Sequence, residues 1–126
     1  MSEIINSKGG VVVTLPPNAT INQLVGLLAD YRIGTVLVQE NERLVGIVSE
    51  RDVVRTIRAA GSLSSPVSAI MTADVTTCSP EDDVRDIAAT MTRKRIRHIP
   101  VVDGGKVLTV VSVGDLLKSF LDEASL

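Results

Sequence analysis

Two four-residue segments carry the side chains best suited to chemistry: Ser49-Glu50-Arg51-Asp52 and Ser112-Val113-Gly114-Asp115. Each sets a hydroxyl three residues ahead of a carboxylate. If a helix starts at the serine, this is a capping arrangement contributing ~1 kcal/mol, and capping alone is one reading of it. Ligand binding is the other. The first turn of a helix presents unpaired N–H groups and a partial positive charge that attract an anion, while a nearby carboxylate can accept two hydrogen bonds from a ribose diol. An anion beside a ribose describes a nucleotide, and the occurrence of the same corner twice favours binding over a cap alone.

The elements that position these corners are themselves duplicated. Displacing the sequence by 63 residues aligns Val12–Ile57 with Val75–Phe120 without a gap, with about nine identities that include Thr14/Thr77, Pro17/Pro80, Ile33/Ile96, Ser49/Ser112 and Asp52/Asp115. In the first copy, Val11, Val12 and Val13 read as a short strand closed by Pro16 and Pro17. Thr20 and Gln23 have capping-box spacing and open a helix with Ile21, Leu24, Leu28 and Tyr31 on its inner face and Gly34 as its terminator. A hairpin follows, Thr35–Val38 and Leu44–Val48, with Glu40 to Arg43 turning the chain. From Ser49 a second helix carries Val53, Val54 and Ile57 at core spacing and stops near Gly61.

The second copy predicts a strand over Val75–Cys78 and a helix from Asp82 to Arg95 bearing Val84, Ile87, Ala88 and Met91. Its hairpin strands are Ile99–Val102 and Val107–Val111, and its last helix runs from Ser112 to Glu123. Asp103-Gly104-Gly105 suits a tight reversal because glycine accepts positive φ. Val67–Met71, at the end of a Ser/Pro-rich connection, reads as one helical turn. The fold class is therefore α/β (α+β), two pseudo-symmetric β-α-β-β-α repeats. A unit of about 46 residues buries too little surface alone, so the repeats are expected to pack sheet to sheet as one domain.

Composition narrows the function. The chain has 126 residues, 44% hydrophobic and 22% charged, so a packed core is expected; with 2% aromatics that core must be aliphatic. A net charge of −2 supplies no general attraction for nucleic acid. No apolar run approaches the ~18 residues of a membrane span, and residues 1–10 lack a leader pattern, which points to the cytoplasm. A lone Cys78 and a lone His98 provide neither a disulfide framework nor a metal cluster. They also leave no acid, base and nucleophile set, so an enzyme is not expected. Asp82, Asp83 and Asp86 read as first-turn capping charges without calcium-loop spacing. Lys8-Gly9-Gly10 lacks the order of a phosphate-binding loop, and Met71 and Met91 read as packing. Arg93, Lys94, Arg95 and Arg97 form a basic run at a helix end, most simply read as solvated cations complementing the helix dipole.

The duplicated strand, helix, hairpin, helix order ending in Gly46-Ile47-Val48-Ser49-Glu50-Arg51-Asp52 resembles the cystathionine-β-synthase-type (CBS) domain. Arg97-His98-Ile99-Pro100-Val101-Val102 and Met71-Thr72 fit the same pattern. The resemblance implies one Bateman module over residues 1–126: repeat 1 at 11–60, a linker at 61–70 and repeat 2 at 71–126. It implies a non-catalytic sensor that binds AMP, ADP, ATP, NAD or another adenosyl ligand in clefts between the repeats, forms a homodimer and signals to a regulated protein by conformational change. With no attached domain, the chain is expected to resemble stand-alone bacterial members.

The same resemblance gives residue roles. Asp52 and Asp115 would hold ribose hydroxyls, and Ser49 and Ser112 would contact ribose or phosphate. Main-chain groups of Val36 and Ile99 would line the base pocket, with Pro100 closing a wall. Arg97 and His98 would reach phosphate, and the planar donor fork of arginine suits that role. The first repeat has Gly34-Thr35 at that place, leaving Arg51 as its cation, while Gly114 replaces that arginine in the second. Thr109 stands where Gly46 is found, which would crowd the second pocket. The alternative function is a constitutive protein-interaction or dimerisation module whose corners only cap helices.

Overall fold

The computed structural model describes residues 2–7 and 12–124. The chain forms two compact units: Val13–Val75, and a second in which helix α1 (Ser2–Ser7) joins the chain from Thr76 onward.

The first unit contains β1 (Thr14–Leu15), α2 (Ile21–Tyr31), β2 (Thr35–Glu40), β3 (Arg43–Ser49) and α3 (Glu50–Arg58). Its sheet has the order β1-β2-β3. β1 runs parallel to β2, with Leu15 opposite Val38, and β2 pairs antiparallel with β3 from Thr35↔Ser49 to Glu40↔Arg43. The reciprocal cap forms at α2: the Gln23 amide donates to Thr20 Oγ1 at 3.1 Å and the Thr20 amide to Gln23 Oε1 at 2.8 Å. Ile21 and Leu24 then bury completely against Val36, Val38 and Val48. The Ser/Pro-rich connection folds back onto this unit. Val67 opens a 3-10 turn (Val67–Ala69) and donates to the Ala19 carbonyl at 2.8 Å, and Ile47 and Thr72 exchange backbone bonds of 2.9 Å.

The second unit contains α4 (Val84–Lys94), β4 (His98–Asp103), β5 (Lys106–Ser112) and α5 (Val113–Ala124). β4 and β5 pair antiparallel from His98↔Ser112 to Asp103↔Lys106, with the register break at the same place as the break in β2–β3 on the 63-residue alignment. Gly104 and Gly105 turn the chain at φ 59° and 81°, the paired positive values of a two-residue hairpin turn; Asn41 and Glu42 make the same turn at 52° and 65° without glycine. The core is built from Ile87, Met91, Ile99, Val101, Val111 and Leu116, and Ile4 of α1 buries in it.

Several expectations are corrected. The first strand is Thr14–Leu15, directly against Pro16; Val12 and Val13 precede it and Val11 lies outside the described residues. Helix α2 ends at Arg32, which takes the left-handed conformation at φ 53°, so Gly34 is not its terminator, and Tyr31 in the last turn is 53% exposed. The equivalent Arg95 closes α4 in the same way at φ 56°. On α3 only Val53 turns inward, leaving Val54 and Ile57 62% and 60% exposed. Val75–Cys78 is not a strand but a single parallel bridge, Cys78↔Val101. The reason is Pro100. Its counterpart Leu37 donates to the Val13 carbonyl, whereas proline has no N–H to extend the ladder past the bonds made by Cys78.

Candidate functional site

Each corner arises where the second hairpin strand runs directly into a helix. At Ser49 the backbone is still extended, with φ −125° and ψ 167°, and α3 begins at the next residue. The Ser49 amide donates to Asp52 Oδ2 at 2.8 Å, Ser49 Oγ donates to the same oxygen at 3.1 Å, and the Asp52 amide returns to Ser49 Oγ at 3.4 Å. The capping reading is therefore correct as far as it goes. It uses Oδ2, while Oδ1 lies 3.8 Å from Arg55 Nη1. A carboxylate oxygen has two acceptor positions, so Oδ1 retains the capacity a vicinal diol requires. The Asp52 side chain keeps 18% of its exposure, enough for a ligand to reach it.

The second corner repeats this geometry. The Ser112 amide donates to Asp115 Oδ2 at 2.8 Å and the Asp115 amide to Ser112 Oγ at 3.2 Å. Each corner is also tied to the first hairpin strand by one equivalent bond: Glu50 N–H donates to the Gly34 carbonyl and Val113 N–H to the Arg97 carbonyl, both at 3.0 Å. The β2 and β4 residues thus lie beside the corners, Thr35 opposite Ser49 and His98 opposite Ser112. Arg97 is exposed and His98 half-buried. Val36, Ile99 and Pro100 are fully buried, so contacts from Val36 and Ile99 would come through their main chains. Arg51 is exposed on the first turn of α3.

Gly46 has a local explanation. A Cβ there would lie 2.9 Å from Met71 Cγ and 3.2 Å from the Thr72 carbonyl oxygen, so it is glycine because the returning connection covers it. Thr109 holds the equivalent place in the second unit and is buried.

The remaining candidates take structural positions. Asp83 caps α4 through the Arg85 amide at 2.8 Å, and Asp82 accepts from the Ser79 amide at 2.9 Å. Met91 is core and Met71 packs against the first core. Burial, followed by the Asp82 charge, pushes the Cys78 thiol up to about 11, the opposite of an activated nucleophile. An open cavity of about 80 Å³ beside Cys78 is lined by Thr77, Asp82, Asp86, Ile87, Thr90 and Ile99. That is well below the roughly 300 Å³ at which ligand pockets begin, and it is not lined by either corner. Among the described residues no group of three or more His, Cys, Asp or Glu could hold a metal ion, and no helix is long and apolar enough to cross a membrane.

Sequence reasoning passed over Glu50. Its carboxylate lies across Gly34, with Oε1 3.5 Å from where a Cβ would sit. The available signal was the 63-residue alignment itself, which sets Glu50 against Val113 and Gly34 against Arg97.

The CBS-domain family model matches residues 3–59 and again residues 67–122. The chain belongs to the CBS-domain family. CBS pairs are regulatory modules and are generally non-catalytic. The chain is 29% identical over 117 residues to the CBS domain-containing protein YhcV of Bacillus subtilis, covering 92% of this chain and 84% of that one. A solved structure of a protein with CBS domains from Burkholderia ambifaria superimposes with a TM-score of 0.91 at 34% identity, covering 98% and 94% of the two chains. The CBS domain protein PAE2072 of Pyrobaculum aerophilum, solved in complex with AMP, superimposes with a TM-score of 0.82 at 32% identity, covering 91% and 92%. The α/β fold with two CBS repeats is thus as the sequence implies.

Proposed function

We propose that this chain is a non-catalytic sensor that binds an adenine nucleotide, AMP, ADP, ATP or NAD, or another adenosyl ligand, at its two Ser-x-x-Asp corners. The observation that carries the reading is the first corner, where the cap engages Oδ2 of Asp52 and leaves Oδ1 able to accept from a ribose. The AMP complex of the Pyrobaculum relative supports it. Asp52 and Asp115 hold the ribose, Ser49 and Ser112 contact ribose or phosphate, and Arg97 and His98 meet phosphate, with Arg51 the cation of the first corner. The main chains of Val36 and Ile99 receive the base and Pro100 closes a wall. The two repeats work as one Bateman module in the cytoplasm.

Occupancy becomes a signal only if the ligand binds one arrangement of the protein better than another, and a regulated protein reads that arrangement. Homodimerisation belongs to the same proposal. Its support is the apolar side chains that each last helix leaves in water: Val54 and Ile57 on α3, and Val113, Leu117 and Leu121 on α5.

Thermal unfolding of ligand-stripped protein tests the reading. At a ligand concentration about 100-fold over Kd, binding adds about 2.7 kcal/mol, which raises Tm by several degrees. At least one of AMP, ADP, ATP, NAD and S-adenosylmethionine at millimolar concentration is expected to do so. If all five leave Tm unmoved, the sensor reading fails and the constitutive interaction module takes its place.

A further inference from the structure

The two corners share a backbone but differ in the charged residue each brings to it, an acid on the first helical residue in one and a base on the strand start in the other. The equivalent amide bonds, Glu50 to Gly34 and Val113 to Arg97, fix the first helical residue over the start of the hairpin strand in both units. In the first unit the strand residue has no side chain and the Glu50 carboxylate fills the space, 3.5 Å from the missing Cβ of Gly34. In the second the strand residue is Arg97 and the helical residue is the uncharged Val113. Arg51 does not reverse this contrast. It follows Glu50 by one residue, about 100° around the helix, and it is the Glu50 carboxylate that is found against Gly34. A carboxylate on one member of this bonded pair and a guanidinium on the other, each beside an anion-attracting helix terminus, give opposite preferences for a phosphate group.

Resting on the nucleotide reading above, we infer that the two corners sort adenosyl ligands by charge: the second takes the phosphate-bearing nucleotide, and Glu50 reserves the first for an adenosyl compound without phosphate, neutral or cationic. Glu50 is then a specificity residue for which capping has no use, because the cap is made by Ser49 and Asp52. Since Glu50 and Arg97 are exposed, the preference weakens as salt rises.

Calorimetry on the full chain with adenosine and AMP as probes tests this, one corner at a time. Asp115→Ala leaves the first corner and Asp52→Ala the second; Asp115→Asn and Asp52→Asn keep a cap acceptor and serve if the alanine variants unfold. With the first corner alone, adenosine is expected to bind about tenfold tighter than AMP, and adding Glu50→Gln to shift that ratio about tenfold toward AMP. With the second alone, AMP is expected to bind tighter, and Arg97→Ala to remove the advantage. If both compounds bind the first corner with a ratio that Glu50→Gln does not move, charge sorting is overturned while the ribose assignment stands. If neither compound binds the unmutated chain while another of the five ligands raises its Tm, the sorting is overturned and the nucleotide reading stands; if all five fail as well, both fall.

Discussion

The hairpins β2–β3 and β4–β5 have identical burial along all thirteen residues, alternating in the same order from buried to half-buried to exposed. What flanks them differs. In the first unit a parallel strand extends the hairpin and the Ser/Pro-rich connection seals Gly46. In the second, Pro100 reduces the parallel contact to one bridge, and helix α1, from the opposite end of the chain, supplies core through Ile4. Duplication preserved the hairpin and the corner because the register sets which face is buried and where the helix starts. It left each unit to close its remaining core with whatever chain lay within reach.

That contrast can be broken most strongly at α1. Ile4→Ala removes a buried side chain at 6% exposure, and such truncations cost about 2–5 kcal/mol. Hydrogen exchange should accelerate first in β4 and β5 while β2 and β3 keep their protection; equal loss in both hairpins would show that α1 is not particular to the second core. A smaller effect is expected from Gly46→Thr, which gives the first unit the residue of the second. The new side chain must displace Met71, an overpacking cost of about 1–3 kcal/mol, and Met71→Ala should recover part of it. An unchanged denaturation midpoint for Gly46→Thr would mean that the covering connection yields freely.

These contacts also mark where sequence reading ends. The hairpins and corners were legible because strand alternation, turn residues and the Ser-x-x-Asp spacing are local, and the repeat displayed each one twice. Val54 and Ile57 were misassigned because an apolar residue at helical spacing reads the same on an inner or an outer face. Helix α1 was not legible: its six residues are too few to show a period, and its partners begin more than seventy residues later. The missing strand at Val75–Cys78 did have a signal, since Pro100 announces an absent donor in the neighbouring strand. Glu50 needed three dimensions, because a carboxylate in the first turn of a helix has an ordinary reading until it is found lying over a glycine.

The mildest test concerns a single aligned pair, Leu15 and Cys78, which occupy the same bridge position in the two units. Leucine there is indifferent to pH; the thiol is not. Burial and the Asp82 charge move Cys78 from an ordinary value of 9.0 to about 11. Below pH 9 the thiol is protonated in both folded and unfolded chains and its contribution is fully present. Between about 9 and 11 the unfolded chain ionises first and binds fewer protons than the folded one, so stability falls as pH rises. The urea midpoint should therefore decline more steeply across this window in the unmutated chain than in Cys78→Ala, and iodoacetamide at pH 8 should alkylate Cys78 more slowly than a free cysteine. Parallel declines together with rapid alkylation would place the Cys78 thiol in water and remove it from the core position that Leu15 holds in the first unit.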